Sequence, residues 1–192
     1  MASDRFMQYG YDPMMARWIE EAARRNAIDP DLLAAQVWTE SRGKADARSP
    51  AGAMGPMQLK PEPARELGVD PSAPSQNIMG GARYLKSQLN RFGDTERALT
   101  AYHSGAGNVE RGTLGPQGRA YAPTVMRHYS ELANRMTPGA GTVTYGQQAA
   151  PSYGQEMAPG YDRGAMERNL RDFMGRQERP SRVRVGPDPG PM

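Results

Sequence analysis

Asp29-Pro30-Asp31-Leu32-Leu33-Ala34-Ala35-Gln36-Val37-Trp38-Thr39-Glu40-Ser41 is the stretch on which the fold turns. Asp29 suits a helix N-cap, and Pro30 suits the first helical position, where its missing N–H costs nothing. Leu33, Val37 and Glu40 then recur at i, i+4 and i+7, so the spacing predicts a helix that carries all three on one face. That places a carboxylate on an apolar face, next to a loop at 41–56 rich in Gly, Ala and Pro. A Glu so placed is partly desolvated yet reachable. Desolvation disfavours the anion and raises the pKa, as a general acid near neutral pH requires. Taken alone, a Glu at a helix end reads first as a surface solubiliser.

The flanking sequence predicts further short helices. Met14, Met15, Trp18, Ile19, Ala22 and Ala23 form an apolar stripe at 3.6 spacing that breaks near Asn26. A short helix is expected at 63–67, ending at Gly68, and a longer one at 77–92 through Ile78, Ala82, Leu85 and Leu89. Gly80 and Gly81 within it suit close helix packing and not substrate contact. Gly93-Asp94 ends that helix and caps the next, expected at 95–103. Ser104-Gly105-Ala106-Gly107 reads as a turn, and a last helix is expected from Pro123 to about Arg135 with Val125, Tyr129 and Leu132 facing in. No pair of alternating strands appears, so the expected fold class is all-α.

Composition narrows the class. The 192 residues contain 24 Lys plus Arg against 21 Asp plus Glu, a formal net charge of +3, with the two signs interspersed. This predicts a mixed solvated surface and no specific nucleic-acid binding. The absence of cysteine excludes disulfides and Cys-ligated zinc, and two histidines, His103 and His128, support no His-based metal site, so neither metal nor cofactor is expected. No apolar run approaches the roughly 20 residues of a membrane-spanning helix. The first residues lack an apolar signal core, so no secretory signal peptide is expected.

Beyond residue 136 the composition changes. Residues 137–192 hold nine glycines and seven prolines, and a flexible tail is expected there, separate from a compact domain at 1–136. Within it, Met166, Leu170, Phe173 and Met174 would allow one short amphipathic helix at 161–178. No internal repeat occurs.

Motifs in order strengthen the reading of Glu40. After Glu40-Ser41 come Gly52-Ala53-Met54-Gly55-Pro56-Met57-Gln58, then Asn77-Ile78-Met79-Gly80-Gly81-Ala82-Arg83-Tyr84-Leu85, then Ala98-Leu99-Thr100-Ala101-Tyr102-His103-Ser104-Gly105-Ala106-Gly107-Asn108-Val109, then Tyr121-Ala122-Pro123-Thr124-Val125. This series resembles the catalytic domain of the family 1 soluble lytic transglycosylases over about residues 10–135. The resemblance implies a compact multi-helix domain of the α+β lysozyme-like superfamily and a peptidoglycan substrate. Glu40 matches the family's single acid/base, and Ser41 the hydroxyl beside it that orients the carboxyl or contacts substrate. Gly55, Met57 and Gln58 match the Gly-x-Met-Gln segment of the substrate cleft. Tyr102 matches the Tyr of the Ala-Tyr-Asn motif, and Tyr121 a later Tyr whose hydroxyl can reach the catalytic carboxyl. By their own chemistry, Met57 reads equally as core or cleft, and the two tyrosines as packing aromatics.

Two positions depart from the family pattern. His103 stands where the family has an Asn expected to bond the substrate's N-acetyl carbonyl, and Pro56 replaces an apolar Leu. A neutral imidazole still donates one N–H, but its charge changes near pH 6.5.

The implied reaction uses one carboxyl, whereas ordinary glycoside hydrolysis uses two. Glu40 would protonate the glycosidic oxygen between N-acetylmuramic acid and N-acetylglucosamine, then accept the proton of the muramoyl C6 hydroxyl as that oxygen closes a 1,6-anhydro ring. The rival readings are a hydrolytic lysozyme with Asp46 or an unassigned acid as the second group, and a non-catalytic glycan- or protein-binding module. With no signal peptide expected, delivery in a bacteriophage virion or by a secretion apparatus is the expectation, with the tail contacting its other proteins.

Overall fold

A computed structural model describes residues 2–135 of the 192-residue chain. The expectations for 137–192, the tail and its helix at 161–178, lie outside the described residues. Within them the chain forms eight helices and no extended strand: α1 (Ala2–Tyr9), α2 (Pro13–Asn26), α3 (Pro30–Ser41), α4 (Pro61–Glu66), α5 (Pro74–Phe92), α6 (Thr95–Ser104), α7 (Ala106–Arg111) and α8 (Pro116–Arg135).

Helix α3 lies at the centre, with Leu32 through Val37 buried in one unbroken run. It begins as the sequence predicts: Asp29 Oδ1 accepts from the Asp31 N–H at 2.8 Å, and Pro30 opens the helix. Asp29 also accepts at Oδ2 from the Tyr129 hydroxyl at 2.9 Å, which ties the start of α3 to α8. Helix α8 packs along α3, α6 packs on both α5 and α8, and α2 packs on α5. Met15, Ile19, Leu33, Val37, Ile78, Leu85, Leu99 and Val125 make a shared core with no solvent exposure. Met14, expected in the apolar stripe, is instead 52% exposed, because the core-facing arc of α2 runs through Met15, Ala16, Ile19 and Ala22.

Asp94 caps α6 as expected, accepting from the Arg97 N–H at 2.8 Å. Three elements differ from expectation. Helix α1, not foreseen, is held by aromatic contacts: Tyr9 and Tyr11 meet Trp38 edge to face at 4.9 and 5.3 Å, and Phe6 is wholly buried. Helix α7 forms directly after Gly105, so the predicted turn is a single residue wide. Helix α8 starts at Pro116, seven residues before the expected Pro123, and carries Pro123 on its exposed side. The carbonyl left without an N–H partner by that proline sits on a face open to solvent, which lowers the cost of the break.

The loop between α3 and α4 is knit by backbone hydrogen bonds. Met54 and Leu59 exchange both bonds at 2.9 and 3.0 Å, Ser49 N–H bonds Ala53 O at 2.9 Å, and Gly55 N–H bonds Ala47 O at 2.8 Å. This loop is therefore a fixed structure beside the end of α3.

Candidate active site

Glu40 occupies the last turn of α3 and is mostly buried, with part of its surface open. Tyr121, from the first half of α8, donates a 2.5 Å hydrogen bond to Glu40 Oε1. Burial pushes the Glu40 carboxyl up from 4.5 to about 7, and the hydrogen bond from Tyr121 opposes that rise without cancelling it. The acid form is thus substantially populated at neutral pH. Burial together with the negative charge of Glu40 raises the phenols of Tyr102 and Tyr121 well above 10, so both remain neutral donors.

His103 is exposed, and its ring stacks on Tyr121 at 4.5 Å and 17°. Desolvation of the imidazole lowers its pKa below 6.5, so it is uncharged at neutral pH. Glu40, Tyr121 and His103 therefore form one contiguous group contributed by α3, α8 and α6.

Tyr102 serves the loop. Its hydroxyl donates to the Met57 carbonyl at 3.0 Å, and its ring packs against Tyr84 at 5.0 Å. The Met57 side chain is completely buried against Gly81, where an added Cβ would stand 2.8 Å from Met57 Cβ. Of its two readings, core and cleft, the side chain takes core. Gln58 sits at φ +49°, and its Nε2 donates to the carbonyls of Gly55 and Ala47 at 2.9 and 3.4 Å, so this amide nitrogen is committed to holding the loop. Ser41 is buried and its hydroxyl donates to Val37 O at 3.2 Å, turned back along its own helix instead of toward Glu40.

Gly55 has φ +73°, and a Cβ there would lie 2.5 Å from Asn77 Nδ2 and 2.9 Å from the Pro71 carbonyl. Asn77 is the reason for this glycine. Wholly buried at the start of α5, it accepts from the Met57 N–H at 2.8 Å and donates to the Met54 and Pro71 carbonyls at 2.7 and 3.0 Å. It fixes the loop that Tyr102 and Gln58 also hold. The sequence offered a signal for it, a polar residue opening an apolar helix, but two of its three partners lie 20 and 23 residues away. Gln36 was likewise missed: it is fully buried one turn before Glu40, and its Nε2 donates to the Tyr121 hydroxyl at 3.3 Å. Its i−4 spacing from Glu40 was visible in the sequence.

Among the described residues no group of three or more metal-ligating side chains converges, and no helix is long and apolar enough to cross a membrane. Of the acids on the flanking segments, Asp94 is used as the α6 cap, and Asp46 is exposed on the loop.

A central helix that ends in a mostly buried carboxyl, with tyrosines of two other helices beside it, is the arrangement expected of a lysozyme-like domain. The chain belongs to the transglycosylase SLT domain family, whose model matches residues 17–122. It is 40% identical over 128 residues to a protein named transglycosylase from Enterobacteria phage PRD1, a match covering 64% of this chain and 47% of that one. It is 38% identical over 123 residues to membrane-bound lytic murein transglycosylase F 1 of Alkalilimnicola ehrlichii, covering 60% of this chain and 25% of the relative. The chain therefore spans less than half the length of these two relatives. The fold is that of the 70 kDa soluble lytic transglycosylase SLT70 from Escherichia coli, with a TM-score of 0.55 at 22% identity over 60% of this chain and 24% of that one.

Proposed function

We propose that this domain is a lytic transglycosylase acting on peptidoglycan glycan strands, with Glu40 as acid and then base. The observation that carries the proposal is the Glu40 carboxyl at the end of α3, raised to about 7 by burial and bonded by Tyr121. In this reading Glu40 delivers its proton to the glycosidic oxygen as the bond from muramoyl C1 breaks. The resulting carboxylate then takes the proton of the C6 hydroxyl as O6 bonds to C1, giving a 1,6-anhydro end and restoring the acid. The nucleophile belongs to the substrate, so proximity does what a second carboxylate does in hydrolysis. The occupation of Asp94 as a cap and the exposed loop position of Asp46 support a one-carboxyl site.

Tyr121 holds the carboxyl and stabilises its anion between the two proton transfers. The neutral His103, stacked beside it, offers an N–H to the substrate's acetamido carbonyl in place of an Asn amide. Tyr102 acts through the Met57 carbonyl, and Gly55 and Gln58 set the course of the loop. The likeness to a transglycosylase of Enterobacteria phage PRD1 supports a phage setting, and a virion-associated enzyme with residues 137–192 contacting other virion proteins is part of the same proposal.

Mass spectrometry of muropeptides released from purified peptidoglycan tests the reading. The native chain should yield 1,6-anhydro ends and Glu40→Gln none. Reducing ends from the native chain would instead mean a hydrolytic lysozyme, and no products would favour a binding module.

A further inference from the structure

Gln36 is a long polar side chain in an otherwise apolar run of α3, with no solvent exposure. Its Nε2 lies 3.3 Å from the Tyr121 hydroxyl, and its Oε1 is buried without a hydrogen-bond partner among the described residues. An unpaired buried acceptor destabilises the fold, a cost that an apolar side chain of the same shape would avoid. Leu33 and Val37, equally buried on the same helix, show that this region accepts such side chains.

The Tyr121 hydroxyl owns one hydrogen, and it is given to Glu40 Oε1. That arrangement suits the carboxylate. Once Glu40 carries the proton, its own O–H can point along the same line, the Tyr121 oxygen becomes the acceptor, and the phenolic hydrogen must turn to another acceptor. Gln36 already touches that hydroxyl, and a half-turn of its amide exchanges Nε2 for Oε1 and turns a donor into an acceptor.

We propose that Gln36 is a positioning residue whose amide reverses as Glu40 gains and loses its proton, keeping the Tyr121 hydroxyl bonded in both states. It acts through Tyr121 and does not touch substrate, and the inference rests on the reading of Glu40 as acid and then base. No proton travels along the chain of three residues: in the free enzyme the acid form of Glu40 points its O–H at Tyr121, and with substrate bound it turns that O–H to the glycosidic oxygen, while Tyr121 and Gln36 reverse the sense of their hydrogen bonds. The titratable groups facing Glu40 are Tyr102 from α6 and Tyr121 from α8, both neutral over the working range, and His103 stacks on Tyr121.

The test uses the full chain without substrate. Carbon-13 NMR of the glutamate carboxyls follows Glu40, assigned by its loss in Glu40→Gln, across pH in the native chain, Gln36→Met and Gln36→Leu, each also combined with Tyr121→Phe. Either Gln36 variant should shift the Glu40 midpoint by several tenths of a pH unit, and neither should shift it in the Tyr121→Phe background. In the native chain the side-chain amide resonances of Gln36 should titrate at the Glu40 midpoint, and in Glu40→Gln they should be flat. An unmoved midpoint, an equal shift without the Tyr121 hydroxyl, or Gln36 resonances that ignore Glu40 would overturn the proposal. The Gln36 resonances decide the matter even where a substituted chain fails to fold. Muropeptide analysis is independent of these signals, so failure of the transglycosylase reading is seen separately.

Discussion

The Tyr121 hydroxyl donates to Glu40 Oε1 at 2.5 Å across a sequence separation of 81, and so joins the end of α3 to α8 at the carboxyl proposed as the acid. Burial and this bond push the carboxyl in opposite directions, and burial wins.

Activity should therefore follow the acid form of Glu40, with kcat/KM falling as pH rises through about 7. Tyr121→Phe removes the interaction that stabilises the anion, so the Glu40 pKa rises and the alkaline limb moves to higher pH. A hydrogen bond to a charged group is worth about 1.5–3 kcal/mol and one pH unit about 1.4 kcal/mol, so a move of roughly one to two units is expected, with a lower maximal rate. A pH-rate profile checks it, and a limb that moved down would contradict the assignment.

The same carboxyl should weaken the fold at alkaline pH. Its native pKa, about 7, is above the ordinary 4.5, so the folded state binds the proton more tightly than the unfolded state. Stability is greatest below 4.5, declines as pH rises toward 7, and above 7 carries the full penalty of up to about 3 kcal/mol. Gln has no such titration. Glu40→Gln should therefore melt above the native chain at pH 8 and close to it at pH 4, by thermal denaturation at both pH values.

How far the sequence foretold this site depends on the range of each interaction. Caps are local, so Asp29, Pro30 and Asp94 were legible, as was the buried face shared by Leu33, Val37 and Glu40. A close approach at Gly80 and Gly81 was legible, but its partner was not: Met57, Leu59 and Val69 of the segments flanking α4 come against them, in place of another helix. Helix α1 was not, because Phe6, Tyr9 and Tyr11 are fixed by packing, with Tyr9 and Tyr11 against a distant Trp38. The early start of α8 was hidden by Pro123, which reads as a helix start and is tolerated inside one because its side faces solvent. Apart from Pro71, six residues before Asn77, the partners of Asn77 and Gln36 lie 20 to 85 residues away, so no local pattern gives them.

Loop geometry should depend on Asn77 more than on any residue of the loop itself. Asn77→Ala leaves the Met57 N–H and the Met54 and Pro71 carbonyls without this partner. At about 1–3 kcal/mol for each buried group left unpaired, a loss of several kcal/mol is expected. Gly55→Ala should also destabilise, because φ +73° costs a residue with a Cβ roughly 1–2 kcal/mol and the new methyl strikes Asn77 and the Pro71 carbonyl. Denaturant unfolding measures both, and near-native stability of Gly55→Ala would contradict the packing described.

Tyr102 and Tyr121 invite one comparison, since both are tyrosines near Glu40 with raised phenol pKa values but their hydroxyls serve different partners. The Tyr102 hydroxyl holds the Met57 carbonyl, and the Tyr121 hydroxyl holds the acid. Tyr102→Phe should release the loop at a cost of about 1 kcal/mol, typical of a neutral hydrogen bond, and raise KM more than it lowers kcat. It should leave the alkaline limb where the native chain has it, because a neutral phenol that does not bond the carboxyl adds little to the balance between its acid and its anion. Tyr121→Phe should do the reverse, lowering kcat and moving the limb. Parallel pH-rate profiles of the two variants separate the roles, and a limb displaced equally by both would mean that the two hydroxyls act on Glu40 alike.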